Sequence, residues 1–579
     1  MYNSQPDNPL SADQPGIGPA GQSAHPDAIA HLQRLQPKLY RVGPHAWCVV
    51  GNGLSNQSFV RGPDGIIAID SGESVEEMRA ALKLLRTETD APIVACIYTH
   101  FHYVNGTTAL QEDSPGSHLK IYGHAGIAAN LQRHSGATAP HASLGLVHQF
   151  GLQLPDQGAD ALLHCGLGLF YRNPAHAPFT AGYVPVEFAI EQAWTGTIAG
   201  LEVHLAPAPS DASDSITIWL PELKLCVHNL VWPALFNIYA IRGEPYRDPL
   251  VLLHGLDHIL ELAPTQLIGT HGPPLEQDVR GTVTLYRDAI QYLWDQTVRL
   301  ANQGATADEA AAQVALPEIY HDNPWTQQFY GVAEHHVRQI YQGLFGWFDG
   351  TESKLLPAAS RHERLLTGFG GRQQVRDQVQ AALDALQAHW DDEQLRWATE
   401  QATWLVRTDE CDATDLALLS NCLRLMAAHT RSANLRNWCL TRALQLDAEI
   451  DLSRFKHHRF NAQQVQKDPA ESVRLLRVLL NTQGAAGLNI SVAWQFAAGP
   501  AIGLHLRHQV AVAVPASSPD IRLGMSTEHW AAILTGRLNF WEAHDSGLIS
   551  IAGDTAALTQ FFSCFELAAL QRPMDQNTG

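Results

Sequence analysis

The sequence predicts an α/β domain, then an all-α domain, then a small α+β domain, and three observations carry that prediction. From Lys38 to about Pro274, short apolar runs alternate with helical patterns. From Val279 to about Leu446 the apolar residues recur at helical spacing. Past about Asn489 the two patterns mix again. At 579 residues the chain is too long for one core, and two to four domains suit it.

The elements follow in order. The first residues, to about Asp27, are rich in Pro, Gly, Ser, Gln and Asn, with no basic start and no apolar core segment. They read as a disordered arm and not a signal peptide, and the arm is taken to span 1–37. Gly65 to Gly72 is a strand ending in an acidic turn, and Ser74 to Thr89 is an amphipathic helix. Pro92 to Tyr98 is a buried strand. Ile216–Leu220, Leu223–Val227 and Gln266–Thr270 are further strands, which places a layered α/β domain over 38–280. The helical domain is expected over 281–447. Within it Thr306 and Glu309 form a capping-box pattern, and Gly350 to Arg364 reads as a break. The last domain, 455–575, is expected to have strands at Asn489–Phe496 and Ile502–Val514 and helices at Ser526–Leu534 and Thr555–Leu567.

Composition narrows the function. Apolar content of 45% and charged content of 17% fit a soluble globular protein. A net charge of −20 argues against nucleic acid or an anionic membrane surface as main partner. No run reaches the roughly eighteen apolar residues of a membrane span, so no stable membrane insertion is expected. Eight cysteines without C-x-x-C spacing suggest reduced thiols and a cytoplasmic setting.

The chemistry concentrates in Thr99-His100-Phe101-His102-Tyr103-Val104-Asn105-Gly106, just beyond a strand. Two imidazoles two residues apart at a strand end can face one ion, and neutral imidazole is a common ligand for zinc or iron. His271, before Gly272-Pro273-Pro274, is another strand-end histidine, suited to be a ligand or an acid/base. Tyr103 sits beside these histidines, where a phenol can donate a proton. Asp70 is expected to order loop backbone. His335-His336 and His457-His458 read as structural or solvated.

The three regions, in this order, resemble the alkyl sulfatases of the metallo-β-lactamase superfamily over roughly residues 38 to 570. The most specific stretch is Tyr286 to Gly304, continuing to Gly346-Trp347-Phe348-Asp349-Gly350, which is similar to that family's helical dimerisation domain. The tail from about Phe455, with Leu534-Thr535-Gly536-Arg537-Leu538, is similar to its sterol-carrier-like domain. The resemblance implies an αββα sandwich, a homodimer and a site for two metals held by seven side chains. In that frame the paired histidines are His100 and His102, while Val104 and Asn105 stand where the pattern has Asp and His. Asp211 takes the place of the first Glu, with Asp214 as its competitor. Asn229 falls on the bridging Glu and reads as a hydrogen-bonding spacer. His271 takes the place of the last His, and Arg242 that of the sulfate-clamping Arg.

Three ligands of one metal survive, against one of the other. One transition metal per chain is therefore expected, zinc first and iron second, on His100, His102 and Asp211 with His271 near. The reading that follows is a metal-dependent hydrolase acting on an amphipathic, lipid-like substrate such as a sulfate ester. Two alternatives are a mononuclear non-haem iron enzyme, which uses two histidines and one carboxylate, and a non-catalytic dimeric lipid-binding protein.

Overall fold

The computed structural model describes residues 10, 14–134, 136–350, 356–497 and 501–572. They fall into two compact units, Met1–Gln132 with His141–Leu452 and Arg133–Pro140 with Ser453–Gly579.

Two sheets open the first unit. One has seven strands in sequential order: β1 (Lys38–Val42), β2 (Ala46–Val50), β3 (Gln57–Gly62), β4 (Gly65–Ile69), β5 (Ile93–Ile97), β6 (Lys120–His124) and β7 (Phe188–Ile190). β1 to β4 pair antiparallel, and β4 to β7 pair parallel. The second has five: β8 (Trp194–Ile198), β9 (Leu201–Pro207), β10 (Ile216–Leu220), β11 (Leu225–His228) and β12 (Gln266–Gly269). β11 and β12 pair parallel, the rest antiparallel. Strands buried on both faces read as unbroken apolar runs, as in Gly65-Ile66-Ile67-Ala68-Ile69. β9 alternates instead: Leu201, Val203 and Leu205 are buried and Glu202 is exposed.

The inner faces meet in one apolar layer, with Ile67, Ile69, Ala95 and Ile97 from the first sheet and Val203, Leu205, Ile218 and Val227 from the second. The outer face of the first sheet packs Phe59, Ala68 and Cys96 against Met78, Leu82 and Leu85 of the helix Val75–Leu85. Trp219, Cys226 and Leu267 of the second sheet pack against Leu252, Leu256 and Ile259 of the helix Pro249–Leu262. This is the expected αββα sandwich. The turns after β5, β9, β11 and β12 carry the candidate site residues.

The 24-residue helix Val279–Asn302 buries Val283, Tyr286, Ile290 and Leu293 in the core that also holds Leu256 and Leu267. Its Tyr286 hydroxyl donates to Ala234 O at 3.0 Å and accepts from Trp232 N at 3.2 Å, which anchors a loop of the site. The Thr306–Glu309 capping box is present. The break expected at 350–364 is shorter: a helix runs from Ala358 to Gly368, and residues 351–355 lie outside the described ones. Four more helices follow, Arg372–Ala388, Asp392–Val406, Ala413–His429 and Ala433–Leu446.

The second unit has a five-stranded sheet around Trp494, Trp530, Phe540, Phe561 and Phe562. Ile490–Phe496 and Thr527–Leu534 form as expected. The single strand expected at Ile502–Val514 is a hairpin, Ile502–Arg507 and Val510–Val514, because His508 and Gln509 both adopt positive φ in its turn.

The expected N-terminal arm is a second correction. Residues 1–9 and 11–13 lie outside the described residues, but 14–37 are ordered. Gly16–Ile17 pairs with Ser23–Ala24, and Pro26–His31 is a helix. Ala24, Ala28, Leu32 and Leu35 are buried, and two buried histidines fasten the segment. His31 Nε2 lies 2.8 Å from Gly166 O, and His164 Nε2 lies 3.0 Å from Ala28 O. Burial holds the His164 imidazole down to about 4. A histidine depressed in the folded state gives stability that is complete above its unfolded value of about 6.5 and is lost as pH falls from there. Between pH 7 and 5 that loss is about 2 kcal/mol for His164. A His164→Gln protein is therefore expected to lose about that much less stability than wild type over this interval, measured by urea unfolding at both pH values. Equal losses would contradict it.

Candidate metal centre

His100 follows β5 in extended backbone, and His102 lies in the 3₁₀ turn Phe101–Tyr103. Asp211 comes from the turn between β9 and β10. Each offers a ligand atom, and all of these atoms lie within 4.8 Å of one another. His102 Nδ1 is 3.1 Å and His100 Nε2 3.7 Å from Asp211 Oδ2. Among the described residues this is the one such group of three.

A hydrogen-bond chain sets the His100 tautomer. Asp70 accepts from Thr99 N at 2.7 Å and from Thr99 Oγ1 at 2.6 Å. With its proton given to Asp70, Thr99 Oγ1 accepts from His100 Nδ1–H at 2.9 Å. The lone pair of His100 is then on Nε2, which is buried and has no hydrogen-bond partner. Asp70 orders loop backbone, as expected, and orients a ligand besides. Burial holds His100 neutral, down to about 3. Burial alone would raise the Asp211 carboxyl, but the two histidines and Arg247 hold it well below the usual carboxylate range. Neutral imidazoles and an ionised carboxylate are the states a metal binds, and the orphaned Nε2 marks where a ligand atom lacks its partner.

His271 does not join the cluster of three. Its Nδ1–H donates to Leu54 O at 2.9 Å, and Nε2 lies 3.4 Å from the Tyr103 hydroxyl. Burial holds this imidazole down to about 4, and pushes the Tyr103 phenol up, so it stays protonated. Asn229 turns its amide oxygen to Trp232 Nε1 at 3.1 Å and Thr270 Oγ1 at 2.6 Å, while Nδ2 donates to Asp211 Oδ1. It is a hydrogen-bonding spacer. Asp214 is buried but outside the cluster. Val104 packs in an apolar cluster, and Asn105 N donates to Gly72 O at 3.1 Å, so both positions serve the loop.

Arg242 is buried and its Nε donates to Glu244 Oε1 at 2.8 Å. Sequence reasoning missed a second cation, Arg247, five residues on. Arg247 is 5% exposed, and its Nη1 donates to Asn237 O at 2.6 Å. Its Nε and Nη2 are buried without partners, as is Asn237 Nδ2. Two buried guanidiniums, Arg247 with unmet donors, form a group suited to an anion. The available signal was the spacing of two arginines in one loop before a helix start at Asp248.

The αββα sandwich gathers two histidines and a carboxylate at its strand ends, and that donor set defines a candidate metal-binding enzyme. The family described as alkyl sulfatase dimerisation matches residues 306–449, and the one described as alkyl sulfatase C-terminal matches 468–571. A linear primary-alkylsulfatase from a Pseudomonas strain is 29% identical over 88% of this chain and 98% of its own. An (R)-specific secondary-alkylsulfatase from Pseudomonas is 26% identical over 93% of this chain and 81% of its own. The solved structure of the stereoselective inverting sec-alkylsulfatase Pisa1 from Pseudomonas superposes with a TM-score of 0.79 at 24% identity, covering 94% of this chain and 87% of that one. Through its helical and C-terminal regions and along most of its length, the chain is similar to alkyl sulfatases. The redox alternative finds no support among these relatives.

Proposed function

We propose that the chain hydrolyses the sulfate ester of an amphipathic alcohol at the His100, His102 and Asp211 centre. The observation that carries this reading is the pairing of that centre with the buried cations Arg242 and Arg247, of which Arg247 has unmet donors that suit sulfate oxygens. The names of the relatives support the same chemistry.

Arg242 and Arg247 hold the sulfate group and share the charge that develops on it. Asn237 Nδ2 adds a neutral donor. Tyr103, protonated and beside His271 Nε2, gives a proton to the departing alkoxide and regains one from the attacking water. Water supplies the remaining atoms, so one ester yields one alcohol and one hydrogen sulfate. One transition metal, when bound by His100, His102 and Asp211, would supply Lewis acidity to this site. Zinc is the first choice for it and iron the second.

The helical region serves as the dimer contact in this reading. Leu344, Phe345, Trp347 and Phe348 are exposed within the segment that matches the dimerisation family, an apolar run that a second copy would cover. A Phe345→Asp, Phe348→Asp protein is expected to be monomeric by light scattering where wild type is dimeric. A variant that remains dimeric would remove these residues from the interface. A sterol-carrier-like second unit and an amphipathic substrate go with this reading, and the eight free cysteines suit the cytoplasm.

The test is release of sulfate and alcohol from primary and secondary alkyl sulfates, with zinc, iron or manganese supplied in turn. Equimolar products are expected. No release from any chain length with any of the metals would overturn the reading.

A further inference from the structure

Asn229 stands at the centre of a set of contacts whose chemistry fixes its orientation. The indole N–H of Trp232 can only donate, so the Asn229 atom 3.1 Å from it is the amide oxygen. An ionised carboxylate can only accept, so the atom facing Asp211 Oδ1 is the amide nitrogen. Thr270 Oγ1, 2.6 Å from the amide oxygen, supplies a second donor. Turning the amide over would set N–H against N–H at Trp232 and oxygen against oxygen at Asp211, two mismatches that outweigh the 3.3 Å approach of the amide nitrogen to His100 Nδ1. All four side chains are buried, so water cannot repair either mismatch.

Two consequences follow. The amide nitrogen satisfies Asp211 Oδ1 and leaves Oδ2 for the side of His100 and His102. The nitrogen also has no lone pair to offer a metal, and the amide oxygen, which does, is turned away and doubly occupied.

We propose that Thr270 and Trp232 are positioning residues: they lock Asn229 so that it holds Asp211 in its ligand pose. This rests on the reading of His100, His102 and Asp211 as metal ligands.

The test measures zinc affinity by competition with a chromophoric chelator, and the visible spectrum of the cobalt-substituted protein. Thr270→Val and Trp232→Phe are expected to weaken zinc binding by about tenfold or more and to shift the cobalt bands, while Thr270→Ser restores both. If both Thr270→Val and Trp232→Phe bind zinc within about twofold of wild type, the inference is overturned. Should Thr270→Val fail to fold by circular dichroism, Trp232→Phe decides the matter. A wild-type protein that binds no zinc or cobalt would instead defeat the proposed function on which the inference rests.

Discussion

His102→Ala is expected to lose its metal and to release sulfate at least about a thousandfold more slowly than wild type, while its melting temperature changes little. His102 lies 3.1 Å from Asp211 and is one of three ligand atoms in the centre. Without it the ion keeps one imidazole and one carboxylate, which is too few to hold a catalytic metal. The several kcal/mol of charge stabilisation a metal supplies would go with it. The fold has other sources of stability. His102 is in a turn beyond β5, and the apolar layer between the sheets does not include it. Metal analysis, a sulfate assay and a thermal melt on one preparation check all three parts. An unfolded variant would make the metal structural.

Arg247→Ala is expected to lower kcat/KM for an alkyl sulfate by about 10²- to 10³-fold, with metal content unchanged. Removing one preorganised donor to a developing anion typically costs that much. Arg247 is buried with two nitrogens unmet, so its charge has little solvent to stabilise it and a sulfate has much to gain there. Arg247→Lys keeps the charge and loses the planar fork, and an intermediate value is expected. Steady-state kinetics on the three proteins, with metal content measured in parallel, decide the point. Unchanged kinetics in Arg247→Ala would leave Arg242 as the sole cation of the anion site.

The layers of the first unit were legible because their strands are short apolar runs broken by polar turns, a pattern local to each element. The paired histidines were legible for the same reason, since His100 and His102 are two residues apart beyond a strand. Asp211 and His271 needed the family frame, because they are far from the pair in sequence. The frame could not separate their roles: Asp211 closes the cluster of three, while His271 spends Nδ1 on Leu54 O and faces Tyr103. The locking of Asn229 depends on side chains from three loops meeting, which no local pattern encodes. The order of residues 14–37 was hidden by composition. A stretch rich in Pro, Gly and Gln holds its place through distant partners: Arg436 donates to Ser23 O and His31 meets Gly166 O. The strand expected through 502–514 failed at two non-glycine residues with positive φ, which propensity does not favour.

The central claim is a single metal held by His100, His102 and Asp211 in a sulfate-ester hydrolase. The most direct measurement is metal per chain by mass spectrometry, on wild type and Asp211→Ala purified alike. About one ion per chain in wild type and close to none in Asp211→Ala is the predicted result. Two tightly held ions in wild type, or one ion that persists in Asp211→Ala, would contradict it.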